Sequence, residues 1–508
     1  MHPENRPPTD MQLTPVSFLH RSAMLFPDRV AVVDGDVRIT YKEWLGRARR
    51  FAGLLASLGV EPGDRVAVLA PNSRMMLDAH YGATMAGAVL VSLNTRLTAP
   101  ELQYIVDHSG STVLLYDESL RGVAEQVNVP AKLDSAQYEA QLERADELEL
   151  AVSDEYSMIA LNYTSGTTGR PKGVMYHHRG AYLQAMAMAF HNKLDTETAY
   201  LWILPMFHCN GWTFTWAVTA AGGTHVCVRK IDAGSIWELI DSESITHFNA
   251  APTVLIDLAA HGSAHQLDRR VQIGTGGAPP SPTMLERLGH LGFDVTHLYG
   301  LTETFGPSTL CEFPTELKSA PIDDQARFKA RQGNANVVGF PVRILDKDGN
   351  DVPADGETMG EVALRGNTVA LGYYNDPEST ATSFGSGWFL TGDLGVMHPD
   401  QYIELRDRSK DVIISGGENI ASIEIEQVLA RHPEVLESAV VAEPHERWGE
   451  VPVAYVSLVD DAEVTAEEMI AFARESLPGF KAPKKVIFGP LPKTGTGKIQ
   501  KYLLRNRS

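Results

Sequence analysis

The sequence predicts an α/β fold built on a largely parallel sheet, and three observations carry that expectation. Short β-rich runs at residues 65–70, 88–92 and 111–116 alternate with helical stretches, the pattern of strands joined by crossover helices. Two apolar strand candidates, 157–161 and 200–204, run directly into loops rich in polar and aromatic residues, as expected at the carboxyl ends of parallel strands. The chain's 508 residues exceed what one hydrophobic core supports, and its 44% hydrophobic content can build two or more domains.

In chain order, residues 31–33 and 37–39 flank Asp34-Gly35, a hairpin signal. Thr40 with Glu43 reads as a capping box opening a helix. That helix carries Trp44, Leu45, Ala48, Phe51, Leu54, Leu55 and Leu58 on one face and stops at Gly59. Residues 117–155 are acidic and weakly patterned, and 310–337 mix charges and prolines without a period, so both are expected to be loop and surface. Two β-like runs, 438–442 and 451–459, and a helix capped at Thr465 close the chain. The charged run Asp407-Arg408-Ser409-Lys410-Asp411 lies between apolar stretches and is the expected junction between an N-terminal domain, 1–407, and a C-terminal one, 408–508.

Composition excludes several classes. A formal charge of −20 repels phosphate backbones and anionic lipid, so nucleic acid and membrane surfaces are poor partners. Cys209, Cys227 and Cys311 show neither CxxC spacing nor an even count, against a disulfide framework or a zinc site. Residues 1–10 do not read as a signal peptide, no apolar run is long enough to span a membrane, and Arg505-Asn506-Arg507-Ser508 is not a Ser-Lys-Leu address. A cytoplasmic protein is expected, with a symmetric homodimer as the default assembly.

The chemistry concentrates in six segments. Tyr163-Thr164-Ser165-Gly166-Thr167-Thr168-Gly169-Arg170-Pro171-Lys172-Gly173 combines glycines, short hydroxyls and two cations, the makings of a polyphosphate grip. It lacks the spacing of the common nucleotide loop, because Lys172 follows Pro171 and precedes Gly173. Pro205-Met206-Phe207-His208-Cys209-Asn210-Gly211-Trp212 brings a histidine and two large aromatics just past a strand end. Gly274-Thr275-Gly276-Gly277-Ala278-Pro279-Pro280 is not a dinucleotide fingerprint, since proline replaces the third glycine. His297-Leu298-Tyr299-Gly300-Leu301-Thr302-Glu303 offers an aromatic face, a hydroxyl and a carboxylate, and Trp388-Phe389-Leu390-Thr391-Gly392-Asp393 ends in a carboxylate able to accept two hydrogen bonds. Near the C-terminus, Pro492-Lys493-Thr494-Gly495-Thr496-Gly497-Lys498-Ile499 again fails as a phosphate loop, because Pro492 stands where the first glycine belongs.

Together these segments resemble the signature motifs of the adenylate-forming superfamily of acyl-CoA synthetases, adenylation domains and luciferases, over nearly the whole chain. The resemblance implies a large N-terminal domain of layered, mainly parallel sheets with helices and a small β-barrel-like part. A small mobile C-terminal α+β domain would follow, turning about Lys410. It implies ATP, Mg²⁺ and CoA, with a carboxylic acid as substrate. By the motif matches, Thr164, Ser165, Gly166, Thr167, Thr168 and Lys172 would hold the phosphates. Gly276, Gly277, Ala278, His297, Tyr299, Gly300, Thr302, Asp393 and Arg408 would line the nucleotide site, with Asp393 and Arg408 on the ribose. Glu303 and Thr164 would hold Mg²⁺; His208, Trp212, Gly277 and Pro279 would face the acid; Lys498 would bridge the carboxylate and α-phosphate, making Lys498, Thr302, Glu303 and His208 the catalytic set. Gly416, Gly417 and Asn419 would pass pantetheine. Here the sequence departs from some long-chain and aryl ligases, which carry a lysine matching Ile414 or Gly416 or a tryptophan matching Asn419.

The segment from Met206 to Trp212 is most similar to short- and medium-chain ligases, including those for 3-methylthiopropionate. Three other readings share these motifs: a freestanding enzyme loading a carrier protein's phosphopantetheine, a luciferase-like oxygenase, and a non-catalytic nucleotide-binding protein.

Overall fold

The computed structural model describes residues 11–505 except 165–169, 278–281, 409–410, 416–417, 446, 460–461 and 494–498. Two large sheets form its body. The first runs Ala131–Asp134, Ser111–Tyr116, Arg65–Leu69, Val89–Ser92, Met158–Tyr163, Gly173–His177 and is parallel except for its last pair. The second has nine strands, with six parallel ones from Phe293–Leu301 across to Val30–Asp34 and antiparallel strands on both edges. In Arg65–Leu69, Val66, Ala67, Val68 and Leu69 are all buried, as a strand covered on both faces must be. The helix Arg74–Met85 is buried at every position from Met75 to Met85, so it is an interior element rather than an amphipathic one.

Local signals fold as read. Thr40 caps the helix Tyr41–Ser57 reciprocally with Glu43, and Thr465 does the same with Glu468 for Ala466–Ser476. The two stretches expected at the surface are mostly exposed or part-exposed, but each sends a few residues inward. Within 117–155, Ala131–Asp134 extends the first sheet, and the helix Ser135–Leu142 buries Tyr138 and Leu142. Glu139 on that helix pairs with Arg47 at 3.0 Å and Arg74 at 2.8 Å, while Arg47 also pairs with the buried Asp78 at 2.7 Å. One acidic residue of this stretch, Glu139, is therefore part of a part-buried ion network. Within 310–337, Phe328 and Gln332 are buried, and Thr309 donates to the Gln332 carbonyl.

Beyond the second sheet, Arg343–Leu345, Gly360–Leu364, Phe389–Met397 and Ile403–Arg408 form a four-stranded antiparallel sheet. From Ile413 the chain enters a separate five-stranded sheet of Ile413–Ser415, Glu418–Ile420, Val435–His445, Gly449–Leu458 and Lys485–Phe488, with its own core around Ile425, Val440 and Met469. The architecture is α/β with a small C-terminal α+β unit. Among the described residues, no helix is long and apolar enough to cross a membrane.

Candidate active site

The hydroxyl- and glycine-rich loop springs from the antiparallel pair Met158–Tyr163 and Gly173–His177. Its base is closed by Thr164 N–H donating to the Lys172 carbonyl at 3.0 Å and Lys172 N–H donating to Thr164 Oγ1 at 3.3 Å. Ser165, Gly166, Thr167 and Thr168 lie outside the described residues. The Lys172 ammonium donates to Ser379 Oγ at 2.6 Å, sits 3.7 Å from Asp376, and lies 4.7 Å from the Tyr373 ring centroid. Residues 371–374 run beside the loop's return strand, through Leu371 N–H to Met175 O, Met175 N–H to Gly372 O and Tyr374 N–H to Gly173 O.

That same segment reaches Glu303. The Tyr373 phenol donates to Glu303 Oε1 at 2.8 Å, and Ala370 N–H donates to the Glu303 carbonyl at 2.8 Å. Burial, and then the Glu303 charge, push the Tyr373 phenol well above its ordinary range, so at neutral pH it is an O–H donor. Glu303 sits in the short turn Thr302–Thr304 that ends the strand Phe293–Leu301. Tyr176 donates to the Thr302 carbonyl at 2.6 Å, and the Cys209 thiol lies 3.6 Å from Thr302 Oγ1 and 3.8 Å from His208 Nε2. Thr302, Glu303 and Lys172 thus share one connected cluster with His208.

His208 opens an uncommon backbone. Cys209, Asn210, Gly211, Trp212 and Thr213 all have positive φ, between 50° and 65°. A run of left-handed L-residues costs roughly 1–2 kcal/mol each and needs compensation. Asn210 supplies some: its carboxamide accepts from Asn162 at 2.7 Å and contacts His80 Nε2 at 3.1 Å, and its carbonyl accepts from Thr215 Oγ1 at 3.0 Å. Burial pulls the His80 pKa down to about 4, so the ring is neutral. With its Nδ1 hydrogen directed at the Met76 carbonyl at 2.7 Å, Nε2 is left to accept from Asn210. The turn presses Trp212 against two glycines: a Cβ on Gly276 would come within 3.2 Å of the indole and 2.6 Å of the Leu298 carbonyl, and one on Gly306 within 3.1 Å of Trp212.

Asp393 and Tyr299 also meet. The Tyr299 phenol donates to Asp393 Oδ2 at 2.8 Å, both residues being buried. Asp393 pairs across the sheet with Arg408, whose backbone alone is described. Gly300 allows its strand to fold back on 306–310, since a Cβ there would meet the Gly306 carbonyl at 1.9 Å. His297 stands apart: its ring is buried, Nδ1 lies 2.9 Å from the Ala330 carbonyl, and burial pulls its pKa down to about 4, a structural pin for the stretch after Phe328. Gly277 is exposed with φ of 91°. Ala278, Pro279, Lys410, Gly416, Gly417 and Lys498 lie outside the described residues, and Asn419 is described by its backbone in Glu418–Ile420.

Sequence reading missed Tyr373, Asp376, Ser379, Tyr176 and the Asn162–Asn210 pair. Asp376-Pro377 is an N-cap followed by proline, a helix start that the sequence could have announced. Nothing local says that this helix docks on Lys172.

The AMP-binding enzyme family matches residues 19–374, and the AMP-binding enzyme C-terminal domain matches residues 424–498. The chain belongs to this family of adenylate-forming enzymes. A peroxisomal acetate/butyrate–CoA ligase of Arabidopsis thaliana is 42% identical over 537 aligned residues, covering 98% of this chain and 94% of its own. A 4-hydroxybutyrate–CoA ligase of Metallosphaera sedula is 43% identical over 520, with the same coverage of 98% and 94%. Among solved structures, o-succinylbenzoate CoA synthetase of Bacillus subtilis with ATP and magnesium superimposes with a TM-score of 0.84 at 29% identity, covering 96% of this chain and 98% of that one.

Proposed function

We infer that this chain is an AMP-forming acid:CoA ligase for short-chain carboxylic acids. A carboxylate oxygen attacks the α-phosphorus of ATP and pyrophosphate departs, leaving an acyl-adenylate. The CoA thiol then loses its proton and attacks the acyl carbon, and AMP leaves with the former carboxylate oxygen. The observation that carries this reading is the unbroken chain of contacts from His208 through Cys209 and Thr302 to Glu303, Tyr373 and Lys172, which sets acid-side and phosphate-side groups next to each other.

In this reading His208 and Trp212 face the acid, and Thr302 donates to an α-phosphate oxygen. Lys172, with the hydroxyls of Ser165, Thr167 and Thr168 and the backbone around Gly166, neutralises the leaving pyrophosphate. Asp393 and Arg408 take the ribose, and Gly276, Gly277, Ala278, Tyr299 and Gly300 line the adenine side. A hard divalent cation takes oxygen ligands and commonly one or two protein groups besides phosphates. The buried Glu303 carboxylate and the Thr164 hydroxyl fit that donor set. Mg²⁺ held there would supply charge neutralisation at the phosphates.

Lys498 serves the first step and the C-terminal unit then turns about Lys410, bringing Gly416, Gly417 and Asn419 to pantetheine. In support, the chain changes sheets between Arg408 and Ile413. Short acids are supported by the names of the two relatives and by the indole of Trp212 closing on Gly276. A reducing compartment such as the cytosol suits three buried cysteines that form no disulfide. The test is pyrophosphate release over straight-chain, thioether, aryl and amino-bearing acids, with CoA or holo-carrier proteins as acceptor. Release that depends on a short acid and on CoA is expected; acid-independent release, or acceptance of carriers alone, would refute the assignment. Lys498→Ala should abolish acid-dependent pyrophosphate exchange and spare CoA attack on supplied acyl-adenylate.

A further inference from the structure

We propose that Tyr373 is a positioning residue that orients the Glu303 carboxylate through its phenol and the Lys172 ammonium through its ring face for the binding of a metal–nucleotide complex. The proposal rests on the ligase reading and goes beyond its motifs, since Tyr373 lies in none of the segments that carry them. The Glu303 carboxylate is buried and the Lys172 ammonium is part-exposed. Here a neutral side chain serves each of them with a different part of itself. The phenol hydrogen goes to Glu303 Oε1 at 2.8 Å, while the ring takes Lys172 at 4.7 Å from its centroid.

The tyrosine is itself fixed. Its backbone N–H donates to Thr380 Oγ1 at 2.9 Å, its ring packs against Phe384 at 5.6 Å, and its neighbours Gly372 and Tyr374 bond the return strand of the phosphate loop. Ala370, from the same segment, anchors the Glu303 carbonyl, so one stretch of chain sets both the backbone and the carboxylate of that residue. On the other side, Asp376 and Ser379 hold the Lys172 ammonium on the ring face.

Residues that hydrogen-bond a metal ligand typically tune metal affinity or activity about 10–100-fold. The experiment compares the wild-type protein with Tyr373→Phe, which keeps the ring and removes the hydroxyl, and with Tyr373→Leu, which removes both. Mn²⁺ binding in the presence of α,β-methylene-ATP is followed by water-proton relaxation enhancement, and acid-dependent pyrophosphate exchange is measured against Mg²⁺ and ATP. The expected result is about 10-fold weaker Mn²⁺ binding for Tyr373→Phe with an unchanged KM for ATP, and an additional rise in that KM for Tyr373→Leu. Unchanged Mn²⁺ affinity in a folded Tyr373→Phe overturns the proposal, as does an equal rise in the KM for ATP in both variants. Wild-type protein lacking exchange would overturn the ligase reading instead, and the Mn²⁺ titration, which needs no turnover, would still decide the role of Tyr373.

Discussion

Replacing Trp212 by alanine should lengthen the acid that the enzyme prefers. The indole lies where a Cβ on Gly276 would come within 3.2 Å, and it is partly buried against the main core, so it forms a wall rather than a surface flap. Removing it should open room beside Gly276 and Gly306. If two further methylenes of a bound acid are buried in that room, they contribute about 1.6 kcal/mol at about 0.8 kcal/mol each. That difference corresponds to about 15-fold in relative kcat/KM. The assay is pyrophosphate release with butyrate and hexanoate, each from full saturation curves, with circular dichroism to verify folding. The hexanoate-to-butyrate ratio should rise by about that factor in Trp212→Ala. A ratio unchanged within twofold, with both substrates losing rate together, would show that Trp212 is core packing and would refute the pocket argument.

Lowering pH should destabilise the protein between about 6.5 and 4. Burial pulls His80, His178 and His297 down to about 4 and His225 to about 3, so the unfolded chain binds protons in that window that the folded one refuses. Stability from each is complete above pH 6.5 and falls by at most about 1.4 kcal/mol per pH unit; a denaturant midpoint independent of pH over this range would contradict it. Arg47→Ala removes the 2.7 Å partner of the fully buried Asp78, a change that typically costs about 3–5 kcal/mol. Unfolding at distinctly lower urea concentration is expected, and a midpoint equal to wild type would mean that the network contributes nothing. Asp393→Asn should weaken AMP binding by about 1.5–3 kcal/mol for each hydrogen bond to the ribose that the carboxylate would have accepted. Calorimetric titration with AMP reads this directly, and wild-type affinity would remove Asp393 from the nucleotide site.

Much of this protein was legible because its signals are local. The capping boxes at Thr40 and Thr465 and the parallel strands around 65–69, 89–92 and 111–116 depend on residues a few positions apart. The site motifs also fell at strand ends, where Thr302 and Glu303 are found. What escaped reading is long-range. Glu139 has Arg47 as a partner, 92 residues away in sequence, so its acidity looked like surface. Tyr373 acts across 70 residues to Glu303, and its immediate sequence neighbours give no hint of either the carboxylate or the cation it will meet. The left-handed turn at 209–213 was equally hidden, because only Asn210 and Gly211 in it are residue types that commonly take that conformation and the compensation comes from Asn162 and His80.

The claim on which the account depends is that the acid's own oxygen displaces pyrophosphate from ATP. Butyrate labelled with ¹⁸O in both carboxylate positions, incubated with enzyme, ATP, Mg²⁺ and CoA, tests it in one mass spectrum. One labelled oxygen should appear in the phosphate of AMP for each acyl-CoA formed. Label in inorganic phosphate with ADP as the nucleotide product, or unlabelled AMP accompanying the thioester, would contradict it.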